Sequence, residues 1–381
     1  MKRITIVTGT RADYGRLKPV MYAIKKRADM ELSIIAAGMH LIPDHGLTVN
    51  EILKDGFKVD ARVEMHLNGD NGSTMSKSLG IGLIGMTQAL EGISPDCIIV
   101  LGDRGEALAA AIAGAHMNIP VAHIHGGEVT GTIDESLRHA ITKFSHIHFA
   151  ATEDSKQRII KLGEKCEYVF NTGSPGLDTI LNRKPAERHE ILGEFGFNPN
   201  EKLIILAQHP VTSEREDAAK QMQETLEAIK ALEIQTLIIY PNADAGGRSM
   251  INMISKYDTL DHVKAYSNIS YEKYLDLLAN ADVMVGNSSS AIMEAPSFGV
   301  PAINVGSRQQ GRERGINIID VDYDRDEIIN AINKALSNQE FINKVKLNYN
   351  PYGDGNTGEK IVEILYDIQG NDNLIQKRIC Y

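Results

Sequence analysis

Val121-Ala-His-Ile-His-Gly-Gly-Glu-Val-Thr-Gly-Thr-Ile-Asp-Glu-Ser-Leu-Arg-His139 is the stretch whose reading decides the fold. Val121 to Ile124 is apolar, follows Asn118-Ile119-Pro120, and reads as a buried strand. Gly126 and Gly127 let the backbone bend where a side chain would block it. Thr132 to His139 reads as a loop entering a helix, with Asp134 and Glu135 favoured in its first turn. The stretch therefore gathers His123, His125, Glu128, Asp134, Glu135, Arg138 and His139 at the C-terminal end of one strand. In open α/β sheets that edge is where ligands bind. A polar loop with capping carboxylates would look the same in isolation, so the flanking sequence has to decide.

Upstream, strand and helix signals alternate. Ile4 to Thr8 is a strand ending at Gly9-Thr-Arg11-Ala-Asp-Tyr-Gly15, followed by a helix with Leu17, Val20, Met21 and Ile24 on one face. Glu31 to Ala37 is a second strand. Asp96 to Leu101 is a third, ended by Gly102-Asp103-Arg104 and followed by an alanine-rich helix, Glu106 to His116. Such alternation implies a parallel sheet with right-handed crossovers. Ile147 to Thr152 and Tyr168 to Asn171 add short strands. Gly80-Ile-Gly-Leu-Ile-Gly85 matches a dinucleotide-binding pattern, but it lies inside an apolar helical run (Leu79 to Leu90) rather than after a strand.

Gly173-Ser-Pro-Gly176 is a turn cluster and a candidate hinge, after which the architecture repeats. Leu203 to Ala207 leads to Gln208-His209-Pro-Val-Thr-Ser213, then a helix from about Glu214 to Leu232. Thr236 to Tyr240 leads to Pro241-Asn242-Ala-Asp-Ala-Gly-Gly247. Asp282 to Gly286 leads to Asn287-Ser-Ser-Ser290 and a helix from about Ala291, and Ala302 to Val305 leads to Gly306-Ser-Arg308. The expected domains are residues 1–173, a second Rossmann-like domain at 174–365, and a tail at 366–381 that could pack back on the first.

The 381 residues exceed one ordinary core, which agrees with two domains. With 43% hydrophobic and 24% charged residues, the composition is that of a soluble globular protein. A formal charge of -10 argues against a general nucleic-acid or anionic-membrane binder. Cys97, Cys166 and Cys380 are too few and too scattered for a disulfide framework or a zinc knuckle. The N-terminus runs straight into a strand without a signal-peptide pattern, and no apolar run reaches membrane-spanning length, so a cytoplasmic location is expected.

Both halves repeat one pattern: a strand, then Gly, Ser or Thr with a charge, then a helix. Free amides and the positive end of a helix dipole suit phosphate there. Asn287-Ser288-Ser289-Ser290 places three hydroxyls at one helix start, and Glu294 lies about one turn on, where a carboxylate could accept from two ribose hydroxyls. The ordinary alternative is a Ser cap with Glu in the first turns. Arg308, Arg312 and Arg314 supply guanidinium forks suited to phosphate, and Arg11 and Arg104 add a cation at two strand ends of the other half. Together they suggest a diphosphate held between domains. Asp103, His125, Glu128, Asp134 and His209 are acid–base candidates on the same edges. His123 and His125 share a strand face, which is compatible with a metal pair, but no second ligand cluster accompanies them, and no metal is expected.

The motifs Gly9-Thr-Arg-Ala-Asp-Tyr14, Gly102-Asp-Arg104, Gly126-Gly-Glu-Val-Thr-Gly-Thr-Ile-Asp134, Ser136-Leu-Arg-His-Ala-Ile-Thr142, Gln208-His-Pro-Val-Thr212, Gly286-Asn-Ser-Ser289, Gly306-Ser-Arg-Gln309 and Tyr352-Gly-Asp-Gly-Asn356 occur in the order seen in hydrolysing UDP-N-acetylglucosamine 2-epimerases. The chain resembles that family over essentially its whole length. The family includes enzymes that open sialic and legionaminic acid pathways, some acting on UDP-N,N'-diacetylbacillosamine. The resemblance implies an α/β, GT-B-like fold: two Rossmann-type doubly wound domains facing across a cleft. It implies no cofactor, a UDP-sugar substrate, and a homodimer or homotetramer. The implied chemistry is loss of the C2 proton and of UDP to give a 2-acetamidoglucal, then hydration with inversion at C2.

Carried over by position, the resemblance puts Arg11, Arg104 and Asn242 on the nucleotide sugar. It puts Ser288, Ser289, Glu294 and Arg308 on UDP, with Glu294 on the ribose. Asp103, Asp134 and His209 fall on acid–base or substrate-orienting positions. One departure stands out. The mammalian enzyme and the non-hydrolysing relatives carry a catalytic glutamate where this chain has His125, so either His125 or Glu128 takes over its role. The mammalian form also has Ser where this chain has Gly15. Asn242 to Arg248 resembles the region that binds a feedback inhibitor, CMP-sialic acid, in the mammalian enzyme, and a substrate-sugar or structural loop explains it equally well. The rival readings are a GT-B glycosyltransferase using a UDP-sugar, a catalytically inactive nucleotide-sugar sensor, and a non-hydrolysing epimerase. Ala12-Asp13-Tyr14 and Gly131-Thr-Ile-Asp134 favour the hydrolysing branch over the last.

Overall fold

In the computed structural model the chain forms two compact units, residues 1–179 with 352–381, and residues 180–351. The structure describes residues 1–43, 46–67, 72–129, 133–211, 214–241, 246–267, 269–347, 349–368 and 372–380.

The first unit alternates strand and helix: β1 (Lys2–Thr8), α1 (Arg11–Lys25), β2 (Met30–Ala37), α2 (Val49–Lys54), β3 (Ala61–Val63), α3 (Gly72–Ile93), β4 (Cys97–Leu101), α4 (Gly105–His116), β5 (Val121–Ile124), α5 (Ile133–Phe144), β6 (Ile147–Ala150), α6 (Glu153–Lys161), β7 (Val169–Asn171) and α7 (Gly176–Leu181). Among the described residues its strands are all parallel, in the order β3-β2-β1-β4-β5-β6-β7. Strand order reverses between β1 and β4, which makes the loops after those strands the topological switch point. Because strand side chains alternate between faces, Ile4 and Ile6 join one core with α1, while Val7, Ile98 and Val100 join another with α3 and α4. The run Gly80 to Gly85 lies inside α3 and is helix, so the glycine pattern there marks no nucleotide loop.

The second unit contains α8 (Arg188–Glu194), β8 (Leu203–Ala207), α9 (Ala218–Leu232), β9 (Gln235–Ile239), α10 (Gly247–Tyr257), β10 (Val263–Tyr266), α11 (Tyr271–Ala279), β11 (Val283–Gly286), α12 (Ser290–Met293), β12 (Ala302–Val305), β13 (Ile318–Val321), α13 (Arg325–Ser337) and α14 (Gln339–Val345). Its parallel sheet runs β10-β9-β8-β11-β12-β13, again reversing beside the first strand of the unit. Ile204, Leu206, Val283 and Val285 face α9, α10 and α13, whereas Leu203, Ile205 and Met284 face α8 and α11.

The crossings between units differ from the expected ones. The turn at Gly173-Ser174 is an integral part of the first unit: Ser174 N donates to Tyr352 O at 2.6 Å, and the boundary falls inside α7. The chain returns at Tyr352, not near 366, so the helix α15 (Thr357–Asp367) belongs to the first unit. Its Ile361, Val362 and Leu365 complete the α1 core. Asp178 fixes the return by accepting from Thr357 N at 2.9 Å and Gly358 N at 2.6 Å, the free amides at the start of α15. Among the described residues no helix is long and apolar enough to cross a membrane.

Candidate active site

In the first unit the site residues collect where β1, β4 and β5 end. Thr10 caps α1 by accepting from Asp13 N at 3.2 Å, which leaves Arg11 in the first turn, half exposed and paired with Glu51 at 3.1 Å. Gly102 ends β4, and Asp103 and Arg104 follow at the start of α4. Arg104 lies 3.8 Å from Asp13 and is likewise half exposed. Asp103 is paired with the buried guanidinium of Arg138 from α5, and the same guanidinium donates to Glu128 O at 2.8 Å. One arginine thus ties the loops after β4 and β5 to α5. Burial pushes the Asp103 carboxyl above the usual carboxylate range; Arg138 opposes that, and the charges of Asp134 and Glu128 add to it.

The two histidines of β5 are used separately. His123 donates or accepts at both ring nitrogens, 2.7 Å from Gly102 O and 3.2 Å from Thr142 Oγ1, and burial pushes its pKa down to about 3. It therefore holds the glycine before Asp103 rather than sharing a metal with His125. His125 takes a left-handed conformation, φ +66°, at a cost of about 1–2 kcal/mol for a non-glycine residue. Its Nδ1 lies 2.8 Å from Glu128 Oε1, three residues on. Gly127 allows the bend between them: at φ +76° its α-carbon lies against Ser155 O with no room for a β-carbon. Asp134 is exposed in the first turn of α5. Among the described residues no group of three metal-ligating side chains stands together.

In the second unit Asn287 organises the corresponding edge. Its side-chain carbonyl accepts from His209 N at 2.6 Å and its amide donates to His209 O at 2.9 Å, locking the loop after β8 to the loop after β11. Its backbone carbonyl accepts from Arg308 at 3.1 Å and from Gln309 at 2.8 Å. Gly286, at φ +117°, lies too close to Ala207 O for any side chain. Ser288, Ser289, Glu294, Arg308 and His209 are therefore brought to one sheet edge. Glu294 is bonded to Ser290 Oγ and to the Tyr271 hydroxyl at 3.1 Å, so it is not the partner of a Ser cap. The helix expected from Ala291 is the single turn α12, and Ser289 before it makes no side-chain cap bond. A one-turn helix has few aligned peptides, so the hydroxyls and Arg308 carry the anion-binding potential here. Asn242 lies outside the described residues.

The family model described as UDP-N-acetylglucosamine 2-epimerase matches residues 22–366. The chain belongs to the UDP-N-acetylglucosamine 2-epimerase family. It is 44% identical to a UDP-N,N'-diacetylbacillosamine 2-epimerase (hydrolyzing) of Legionella pneumophila over 100% of both chains. It is 40% identical to a UDP-N-acetylglucosamine 2-epimerase of Neisseria meningitidis, over 90% of this chain and 89% of that one. Among solved structures, a Neisseria meningitidis UDP-GlcNAc 2-epimerase bound to UDP-GlcNAc matches with a TM-score of 0.81 at 22% identity, covering 96% of this chain and 100% of that one. The match is one of fold: two Rossmann-like α/β units, GT-B-like in class.

Three residues that brace the candidate site escape a reading of motifs. Arg138 and Asn287 stood inside quoted motifs, but their roles as tethers depend on contacts between loops distant in sequence. Glu106 gave no signal beyond a first-turn acid. It lies against the Gly9 and Gly38 backbones, with burial raising its carboxyl pKa.

Proposed function

We propose that the chain is a hydrolysing 2-epimerase of a UDP-N-acetylhexosamine, with UDP-N,N'-diacetylbacillosamine the leading substrate and UDP-GlcNAc the second. The observation that carries this reading is the 44% identity, over the full length of both chains, to a relative named for that hydrolysing reaction. The 40% identity to a UDP-N-acetylglucosamine 2-epimerase keeps UDP-GlcNAc in the test.

The chemistry needs a base for the C2 proton, an acid near the glycosidic oxygen and cations for the departing diphosphate. In this reading Asp103, Asp134 and the His125–Glu128 pair serve the proton transfers in the first unit, with Arg11 and Arg104 on the nucleotide sugar. His209 acts from the second unit, where Ser288, Ser289, Glu294 and Arg308 hold UDP. Loss of the C2 proton and of UDP gives a 2-acetamidoglucal; water then adds its oxygen to C1 and a proton to C2 on the opposite face. The 2-epimerised sugar would enter sialic or legionaminic acid synthesis, made by a cytoplasmic homodimer or homotetramer.

Proton NMR in deuterated water tests this with each UDP-sugar in turn. Free UDP together with a 2-epimerised sugar deuterated at C2 is the expected result, and the faster substrate names the pathway. UDP release without deuterium at C2 would point to simple hydrolysis or transfer and would end the elimination mechanism.

A further inference from the structure

The acid–base candidates leave one carboxylate of the first unit without a task. Resting on the epimerase reading above, we infer that Glu106 is a substrate-binding residue whose carboxylate accepts hydrogen bonds from the O–H and N–H donors of the hexosamine ring.

Three observations carry this. First, Glu106 occupies space that two glycines leave. It stands in the first turn of α4, but its side chain reaches the backbone just past the ends of β1 and β2. A β-carbon on Gly9 would lie 2.7 Å from its Cδ, and one on Gly38 would lie closer still to Oε1. Any side chain at either position would therefore push the carboxylate out. The slot lies beside the switch point between β1 and β4, where open α/β sheets take their ligands.

Second, the carboxylate has no counter-ion. Its hydrogen bond is with its own backbone N–H, and among the described residues no cation pairs with it; Arg104 acts on it only at a distance and lies nearer Asp13. Other carboxylates drawn into the protein are matched. Asp103 meets Arg138, Glu164 meets Lys143 and Lys377, Asp276 meets Arg183 and Ala186 N, and Asp178 takes two free amides. An enclosed carboxylate that lacks such partners needs donors from elsewhere. Burial accordingly raises its pKa.

Third, the helix dipole does not explain the placement. Glu153 and Asp154 of α6, and Asp326 and Glu327 of α13, serve their first turns from exposed positions. Nothing in that role draws Glu106 inward. The missing donors are uncharged ones on the sugar, because a carboxylate repels a diphosphate. Both leading substrates carry vicinal donors at C3 and C4: two hydroxyls in UDP-GlcNAc, and a hydroxyl and an acetamido N–H in UDP-N,N'-diacetylbacillosamine. Either pair suits the two oxygens of one carboxylate.

The test compares Glu106→Gln and Glu106→Ala with the wild type by steady-state kinetics on both UDP-sugars, titration with UDP, and thermal unfolding. Glutamine fills the slot without the charge; alanine empties it and serves if the glutamine variant does not fold. Each is expected to raise KM for the better substrate about 10- to 100-fold, with UDP affinity kept. The kcat should change less than about threefold, the pattern of a contact made equally in the ground and transition states. Glu106→Gln should unfold at no lower temperature than the wild type, because an unmatched enclosed charge has gone. An unchanged KM overturns the assignment, whatever the stability does, and would make Glu106 a structural acid. A parallel loss of UDP affinity overturns it too, since the fault would then lie in the fold or the nucleotide edge. A wild type inert toward both sugars would instead overturn the functional reading.

Discussion

Asp103, just past the end of β4, is gripped by Arg138 on α5, a residue 35 positions later in the chain. The acid is buried enough to sit above its usual pKa range, yet it is held by a cation that is only 3% exposed. Such a carboxylate is oriented for a task that solvent would otherwise blur. Asp103→Asn keeps the size and loses the charge. Its kcat should fall by about 10²- to 10⁴-fold while UDP affinity is unchanged. Steady-state kinetics beside a UDP titration separates the two, and an unaltered kcat would remove Asp103 from the chemistry.

Asn287 supports the edge proposed to hold the nucleotide, through both its side chain and its carbonyl. Asn287→Ala leaves the His209 amide and carbonyl without their partner and loosens the loop that Arg308 braces. With about 1–3 kcal/mol lost, UDP should bind about ten- to a hundredfold more weakly. Arg308→Ala and Glu294→Ala should weaken UDP as well. Calorimetric titration with UDP checks all three, and wild-type affinity in each would place the nucleotide elsewhere.

Four buried histidines make the first unit sensitive to acid. Burial lowers His40 and His146 to about 4 and His123 to about 3, and it lowers His148 too. The unfolded chain titrates near 6.5, so between 6.5 and about 4 it binds protons that the folded unit refuses. The stability these groups contribute is complete above 6.5 and is lost as pH falls. At pH 5 each of His40, His123 and His146 should cost on the order of 1–2 kcal/mol. Urea unfolding at pH 7 and pH 5 should show a markedly lower midpoint at pH 5, and His123→Gln should flatten that dependence.

The C-terminal segment latches α5 from below the site. Lys377 Nζ donates to Thr142 O and Lys143 O, each at 2.9 Å, and to Ser145 O, capping the last carbonyls of the helix that carries Arg138. It also pairs with the buried Glu164. Lys377→Met should therefore destabilise the protein by about 3 kcal/mol, read as a shift in thermal or denaturant unfolding. A variant as stable as the wild type would show that the latch is idle.

The central strands were legible because a strand buried on both faces is a continuous apolar run, as in Ile4 to Thr8, Cys97 to Leu101 and Leu203 to Ala207. The strands the sequence did not announce are β3, β10 and β13, and each is an edge. An edge strand has a neighbour on one side only and tolerates Arg62, Lys264 or Asp320, which breaks the run that identifies a strand. The same limit explains α15. Its apolar face is evident, but nothing local states that the face packs on α1 rather than on the nearer unit.

The sequence by itself determined the alternating α/β architecture, the two repeats of it, and the strand ends at which Asp103, His125, His209 and Ser288 stand. Those follow from periodicity and turn chemistry, which act over a few residues. Tertiary structure alone decided that Arg138 holds Asp103, that Asn287 locks His209, and that the His125 ring is buried beside Glu128. Pairings of that kind join loops many residues apart, and they exist only once the sheet register brings the loops together.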